Sequence, residues 1–143
     1  MRIAIIFMLL GLGFPKLASS QDLKHVNDSV TNPLEYSFCG QVAQKEISKK
    51  TIVDFFKNPD SVLLAVRLAG EQEKIISFTI VIVPSTKKNS MYTEEVLGYK
   101  GSTSLKNALL GCQAGDFISI AGVKMVVKDK TVKYSGVNIK VTD

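Results

Sequence analysis

Between Lys74 and Val83 the chain reads KIISFTIVIV. Side chains on a strand alternate between its two faces. Ile76, Phe78, Ile80 and Ile82 then share one large apolar face, while Ile75, Ser77, Thr79, Val81 and Val83 share a smaller, mixed one. β-Branched and aromatic residues dominate the run, and neither Gly nor Pro interrupts it before Pro84. The pattern predicts a central strand covered on both faces, with Ile76, Phe78, Ile80 and Ile82 as its structural core.

A second apolar run, Ser61 to Ala69, is joined to the first by the polar Gly70-Glu71-Gln72-Glu73, which predicts a hairpin. Leu34 to Val42 predicts a first strand broken near Gly40. Ile52, Val53, Phe55 and Phe56 then recur at helical spacing behind Ser48, which is suited to an N-cap, and Asn58-Pro59 stops the helix. The Phe pair reads as core. A second short helix carries Leu105, Ala108, Leu109 and Leu110 as its apolar stripe, with Ser102 or Ser104 as cap and Gly111 as stop. Tyr92 to Tyr99 reads as a short extended segment. Four strands follow: Phe117 to Ala121, Val123 to Lys128, Thr131 to Tyr134 and Val137 to Thr142. The total is about seven strands and two short helices, spaced too tightly for repeated βαβ units. The expected fold is mainly β, an antiparallel sandwich or barrel-like arrangement, as a single domain over residues 34–143.

The first twenty residues have a different pattern. Arg2 precedes an uncharged apolar run from Ile3 to Phe14, Pro15 breaks it, and Ala18-Ser19-Ser20 offers small residues for cleavage before Gln21. This predicts a secretory signal peptide over residues 1–20, too short in its apolar part to span a bilayer, and hence a periplasmic or secreted protein. No later run is long and apolar enough for a transmembrane anchor. Gln21 to Pro33 is polar and aperiodic, and reads as a flexible mature N-terminus. Asn27-Asp28-Ser29 matches a glycosylation sequon that matters only in a eukaryotic secretory pathway.

Apolar residues make up 45% of the chain, enough for a real core. Net charge is +5, and loss of Arg2 and Lys16 with the leader leaves +3, too little for a nucleic-acid binder. Export makes the two cysteines, Cys39 and Cys112, candidates for a disulfide. A bridge over so long a loop would stabilise by about 4 kcal/mol in the chain-entropy picture. The other reading is two buried, unpaired thiols.

The chain offers little chemistry. Nucleophile, base and orienter must converge in space, and the only histidine, His25, the usual base, lies in the polar N-terminal segment outside the expected core. No Cys/His cluster has metal-ligand spacing and no Gly-rich phosphate loop appears. Glu94-Glu95 and Glu71/Glu73 fall in turn-like polar stretches and read as solvated. No cofactor and no catalytic set is expected. Lys124, Lys128, Lys130, Lys133 and Lys140 cluster near the C-terminus, several of them alternating with apolar residues, which predicts a basic face for an acidic partner, or a solvated sheet face whose lysines discourage edge pairing.

The order of these segments carries a resemblance. YSFCGQVAQKEISKKTIVDF, VLLAVRLAGEQEKIISFTIVIV and GSTSLKNALLGCQAGDFISIAGVKMVVKDKTVKYSGVNIKV resemble, in that order, the C-terminal domain of the GldM and PorM proteins. Those are periplasmic proteins of gliding motility and type IX secretion in Bacteroidetes. The likeness rests on Ile47-Ser48-Lys49 entering a helix, on Ser77-Phe78-Thr79 within a strand, and on Gly115-Asp116-Phe117-Ile118 before a Lys-rich hairpin. The resemblance implies a periplasmic, non-enzymatic interaction module, binding protein partners of the cell envelope or itself. Two features depart from the family: the chain has no spanning helix of its own, and Cys39 and Cys112 are not part of the family pattern. A secreted inhibitor or ligand-binding β-domain is the alternative, with Pro84 to Met91 as its candidate loop.

Overall fold

The structure, a computed structural model, describes residues 34–42, 45–86 and 90–143. The predicted signal peptide and the Gln21–Pro33 segment, with His25 and Asn27, lie outside the described residues. In order, the elements are β1 (Leu34–Phe38), β2 (Gln41–Val42), β3 (Glu46–Ser48), α1 (Lys49–Phe55), β4 (Leu64–Leu68), β5 (Glu71–Gln72), β6 (Lys74–Val83), β7 (Tyr92–Leu97), α2 (Thr103–Leu110), β8 (Phe117–Val127), β9 (Lys130–Tyr134) and β10 (Val137–Thr142). The fold is mainly β with two short helices, as the pattern predicts. No helix among the described residues is long and apolar enough to cross a membrane.

The strands form two sheets. One has the order β2-β1-β4-β5, and the other β3-β10-β8-β6-β7, with β9 also pairing β8. All pairings are antiparallel except that of β3 with β10. Three two-residue hairpin loops hold both their residues at positive φ: Cys39-Gly40, Ala69-Gly70 and Lys128-Asp129. That turn geometry matches the right-handed twist of the flanking strands. Phe38, Leu64 and Val66 from the first sheet join Phe78, Ile80, Ile120, Val123 and Met125 from the second in one sandwich-like core. Ile52 of α1 and Leu105 and Leu109 of α2 enter the same core. Tyr36 of the first sheet donates its hydroxyl hydrogen to the Ser135 carbonyl at 2.9 Å, tying that sheet to the β9–β10 loop.

β8 organises the larger sheet. β6 runs along one of its edges. Its other edge is shared: Phe117 to Ile120 pair with β10, and Val123 to Val127 pair with β9. The chain passes from β9 to β10 at Gly136, against the β8 backbone at Ile120.

The expected core of β6 is corrected at one position. Ile75, not Ile76, is buried; Ile76 is 39% exposed, while Phe78, Ile80 and Ile82 are buried as expected. Register shifts between Ile75 and Ser77 and between Ser77 and Thr79 explain this. An extra residue in β6 moves its inward positions from odd to even numbers. An extra residue in β8 does the reverse: Ile118 and Ile120 face inward before Gly122, Val123 and Met125 after it. Gly122 has φ +59°, the left-handed backbone that such a bulge uses. The two bulges offset each other, so one long strand replaces the two expected on either side of Gly122.

Two further expectations are corrected. Ser61 to Ala69 does not form a hairpin with β6. β4 pairs with β1 and with the two-residue β5, and the chain then crosses to the other sheet as Glu73 N donates to the Val66 carbonyl at 2.9 Å. Nor is β6 covered on both faces. Its outward residues Thr79 and Val81 are half-buried and Val83 is 41% exposed.

Candidate functional site

The lysines of the predicted basic face are all exposed but do not form one patch. Lys124 and Lys133 stand directly opposite each other across the β8–β9 pair. Lys128 and Lys130 sit at the turn of the same hairpin, with Asp129 between them. Lys74, which the sequence pattern did not single out, joins them through its pairing with Val126 on the β6 side of β8. Lys140 is separate. It pairs with Phe117 at the far end of β8 and with Glu46 of β3. Phe117 and Lys124 lie opposite Val83 and Ser77 of β6, six residues apart, or about 20 Å at strand rise. Lys133 lies with its Cε 3.4 Å from where a Cβ on Gly122 would stand, so its stem lies over the β8 bulge. Among the described residues the one ion pair is Lys57 with Asp54, on the surface of α1 and its following turn.

The Glu94-Glu95 pair splits across the sheet. Glu95 faces outward opposite Thr79, and Glu94 faces inward opposite Ile80. Glu94 is therefore not the solvated acid expected. Its carboxylate accepts from Ser102 N at 3.2 Å and from Ser102 Oγ at 2.6 Å, and from the Tyr92 hydroxyl. Burial pushes its pKa up, but the bonds from Ser102 and Tyr92 outweigh this and hold it below the usual value. Ser102 in turn accepts from Leu105 N at 3.0 Å and caps α2. The edge strand β7 thereby fixes where α2 begins. Ser48 caps α1 in the same way, accepting from Thr51 N at 3.1 Å. Glu71 is exposed, as expected, and Glu73 is half-buried at the crossover.

Asp116 is a buried acid that the sequence pattern showed only as part of a turn. It is 5% exposed, and its two oxygens accept from Ser85 N and Gln113 N, each at 2.8 Å. Burial raises its pKa, but those bonds more than offset this and the carboxyl sits below its ordinary range, helped by Lys49. Asp116 therefore ties the loop after β6 to the turn before β8, a structural role.

The expected Cys39–Cys112 disulfide is corrected: both thiols are free and buried. Cys39 occupies the left-handed position of the β1–β2 turn, and its N–H donates to the Leu63 carbonyl at 3.0 Å. The Cys112 thiol donates to the Ala108 carbonyl at 3.5 Å. Burial pushes the Cys39 thiol up to about 12, and the neighbouring Cys112 adds to this; burial and Asp116 push Cys112 up to about 11. Packed inside the core as neutral thiols, the two serve as small apolar side chains.

One cleft of about 230 Å³ opens between the end of α1 and the start of α2. Phe55, Phe56, Leu63 and Leu105 contribute its apolar surface, and Lys100 and Lys106 contribute its charge. The two Phe rings meet edge to face, with centroids 5.1 Å apart at 77°. Lys106 Nζ stands 5.6 Å from the Phe56 ring centroid. The Phe pair is half-buried, so the expectation that it is core holds for one side of the rings only. Comparison with protein-family models, with curated proteins and with solved structures returned no match.

Proposed function

We propose that this chain is an exported, non-enzymatic protein-interaction module, as its resemblance to the GldM/PorM C-terminal domain implies, and that it engages an acidic surface of a cell-envelope partner through the β8–β9 hairpin. The observation that carries this is the pairing of Lys124 with Lys133, extended by Lys74, Lys128 and Lys130. Like charges directly opposed across an antiparallel pair destabilise it by about 0.2–1 kcal/mol. A partner carboxylate placed between them removes that cost and adds attraction, and it speeds encounter at low salt. Association with the type IX secretion or gliding machinery is the specific form of this reading.

Capture from envelope extracts tests it. The wild-type chain should retain a secretion or motility component at low salt and lose it at high salt, and Lys124→Glu/Lys133→Glu should retain none. Failure to recover such a component, together with normal secretion in a deletion strain, removes the machine-specific form. Salt-independent capture that survives the double reversal removes the hairpin as the docking surface.

The second reading is a secreted inhibitor or ligand-binding β-domain; its expected loop, Pro84 to Met91, lies partly outside the described residues, and the concavity the described residues offer it is the α1–α2 cleft. At about 230 Å³ the cleft is smaller than the roughly 300–1,000 Å³ of most small-molecule sites.

A further inference from the structure

The cleft between α1 and α2 carries both aromatic and charged groups, and it shares no residue with the β8–β9 hairpin. Among the described residues its lining holds two ammonium groups, Lys100 and Lys106, and no carboxylate. Its apolar surface comes from Phe55, Phe56, Leu63 and Leu105. Leu63 and Leu105 are buried in the core and are fixed; Phe55 and Phe56 are only half-covered. Ser102, held by Glu94 and capping α2, sets the position of the wall that carries Lys106. The cleft is thus preformed on two capped helices, which lowers the ordering cost of binding.

Size and charge together select the occupant. The volume admits one or two side chains, not a cofactor. Protein interfaces concentrate their affinity in such anchor pockets, which most often take an aromatic or other large apolar residue. Two cations without a counter-ion favour carboxylates beside that anchor. We propose that the cleft seats one large apolar side chain, flanked by Asp or Glu, from an acidic segment of a protein partner. The anchor packs on Phe55 and Phe56, and the flanking carboxylates reach Lys100 and Lys106. This rests on the reading of the chain as an interaction module, but on a different surface from the lysine hairpin.

The test uses the full chain, isotopically labelled, and a peptide with glutamates on both sides of a central phenylalanine, followed by amide NMR shifts. The peptide should shift the Phe55–Asn58 turn and the first turn of α2 in a saturable way. Replacing its phenylalanine by alanine, or its glutamates by lysines, should weaken binding about tenfold or more. Lys100→Glu/Lys106→Glu, at two exposed positions, should do the same while leaving the melting temperature near wild type. Lys124→Glu/Lys133→Glu should bind the peptide as wild type does. The proposal is overturned if the wild type shows no saturable shifts, if the phenylalanine proves dispensable, or if reversal at Lys100 and Lys106 has no effect. Phenylacetate binding as tightly as the peptide would overturn the protein anchor in favour of a small-ligand site. A negative result here beside a positive salt-sensitive capture leaves the hairpin as the interaction surface and removes the cleft alone.

Discussion

A Cβ placed on Gly136 would stand 1.2 Å from the carbonyl oxygen of Ile120 and 2.7 Å from the Cα of Ala121. The obstacle is the backbone of β8, which is paired on both edges and has no room to retreat. Gly136→Ala must therefore separate the β9–β10 loop from β8, at the point where Tyr36 also bonds to Ser135. The expected loss is about 3 kcal/mol or more in chemical denaturation, at the severe end for a single substitution. An alanine variant that melts within a few degrees of wild type would show that β9 and β10 do not meet β8 as described.

The paired bulges make a sharper test of the core, because they separate neighbours that a simple alternation would treat alike. Phe78→Asp buries a charge among apolar side chains and should leave the domain unfolded by circular dichroism. Ile76→Asp places its charge at an exposed position and should cost about 1 kcal/mol or less. Equal damage from both would contradict the phase change between Ile75 and Phe78.

That contrast also marks how far the sequence could be read. The strands at Lys74–Val83 and Val137–Thr142 were legible because each is long and its apolar pattern is strong. The cap Ser48 was legible because its chemistry is local, and for α2 the same chemistry narrowed the cap to Ser102 or Ser104, of which the structure uses Ser102. What a single periodicity cannot encode is a change of phase: KIISF reads as continuous until its partner strand shows where the extra residue lies. Pairing across sheets is likewise non-local. Gly70 signals a turn equally well for a β4–β6 hairpin and for the β4–β5 turn that forms. The cleft was missed for a similar reason. Phe55 and Phe56 sit at core spacing along the chain, and only the placement of α2 beside them, with Lys106 over Phe56, shows that their other side lines a cleft.

Asp116 should govern part of the acid stability. Its carboxyl is depressed in the folded chain relative to an unfolded value of about 3.9. The stabilisation is therefore present above about pH 4 and is lost as pH falls through the lower folded value. Asp116→Asn keeps one acceptor but turns an N–H donor toward either Ser85 N or Gln113 N. It should cost about 1–3 kcal/mol at neutral pH and make the variant less sensitive to acid than the wild type. A pH series of urea midpoints for the two proteins checks both outcomes.

The thiols predict the opposite limb. An unfolded cysteine ionises near about 8.5, whereas Cys39 and Cys112 in the fold are pushed up to about 12 and about 11. Their contribution to stability is intact below the unfolded value and is lost as pH rises toward the folded ones. Urea midpoints should therefore fall above about pH 8.5, and more gently in Cys112→Ala once its own lower baseline is taken into account. Against a thiol reagent at neutral pH the native chain should react slowly, and the unfolded, unreduced chain should release two thiols. Recovery of none would mean that the two sulfurs are bonded after all.

The Lys124–Lys133 pair separates a surface kept for a partner from one kept only for solubility. Lys133→Glu converts an opposed like-charge pair into an ion pair across β8 and β9, and both positions are exposed. The isolated domain should gain about 0.2–1 kcal/mol, less as salt is added, because exposed pairs are screened. The same substitution should weaken capture of the envelope partner, since it places a carboxylate where a partner's acid is proposed to sit. A variant that is more stable yet binds less well is the signature of a charge arrangement that costs the fold and serves recognition. A variant that is more stable and binds unchanged would assign the hairpin lysines to the solvated face alone.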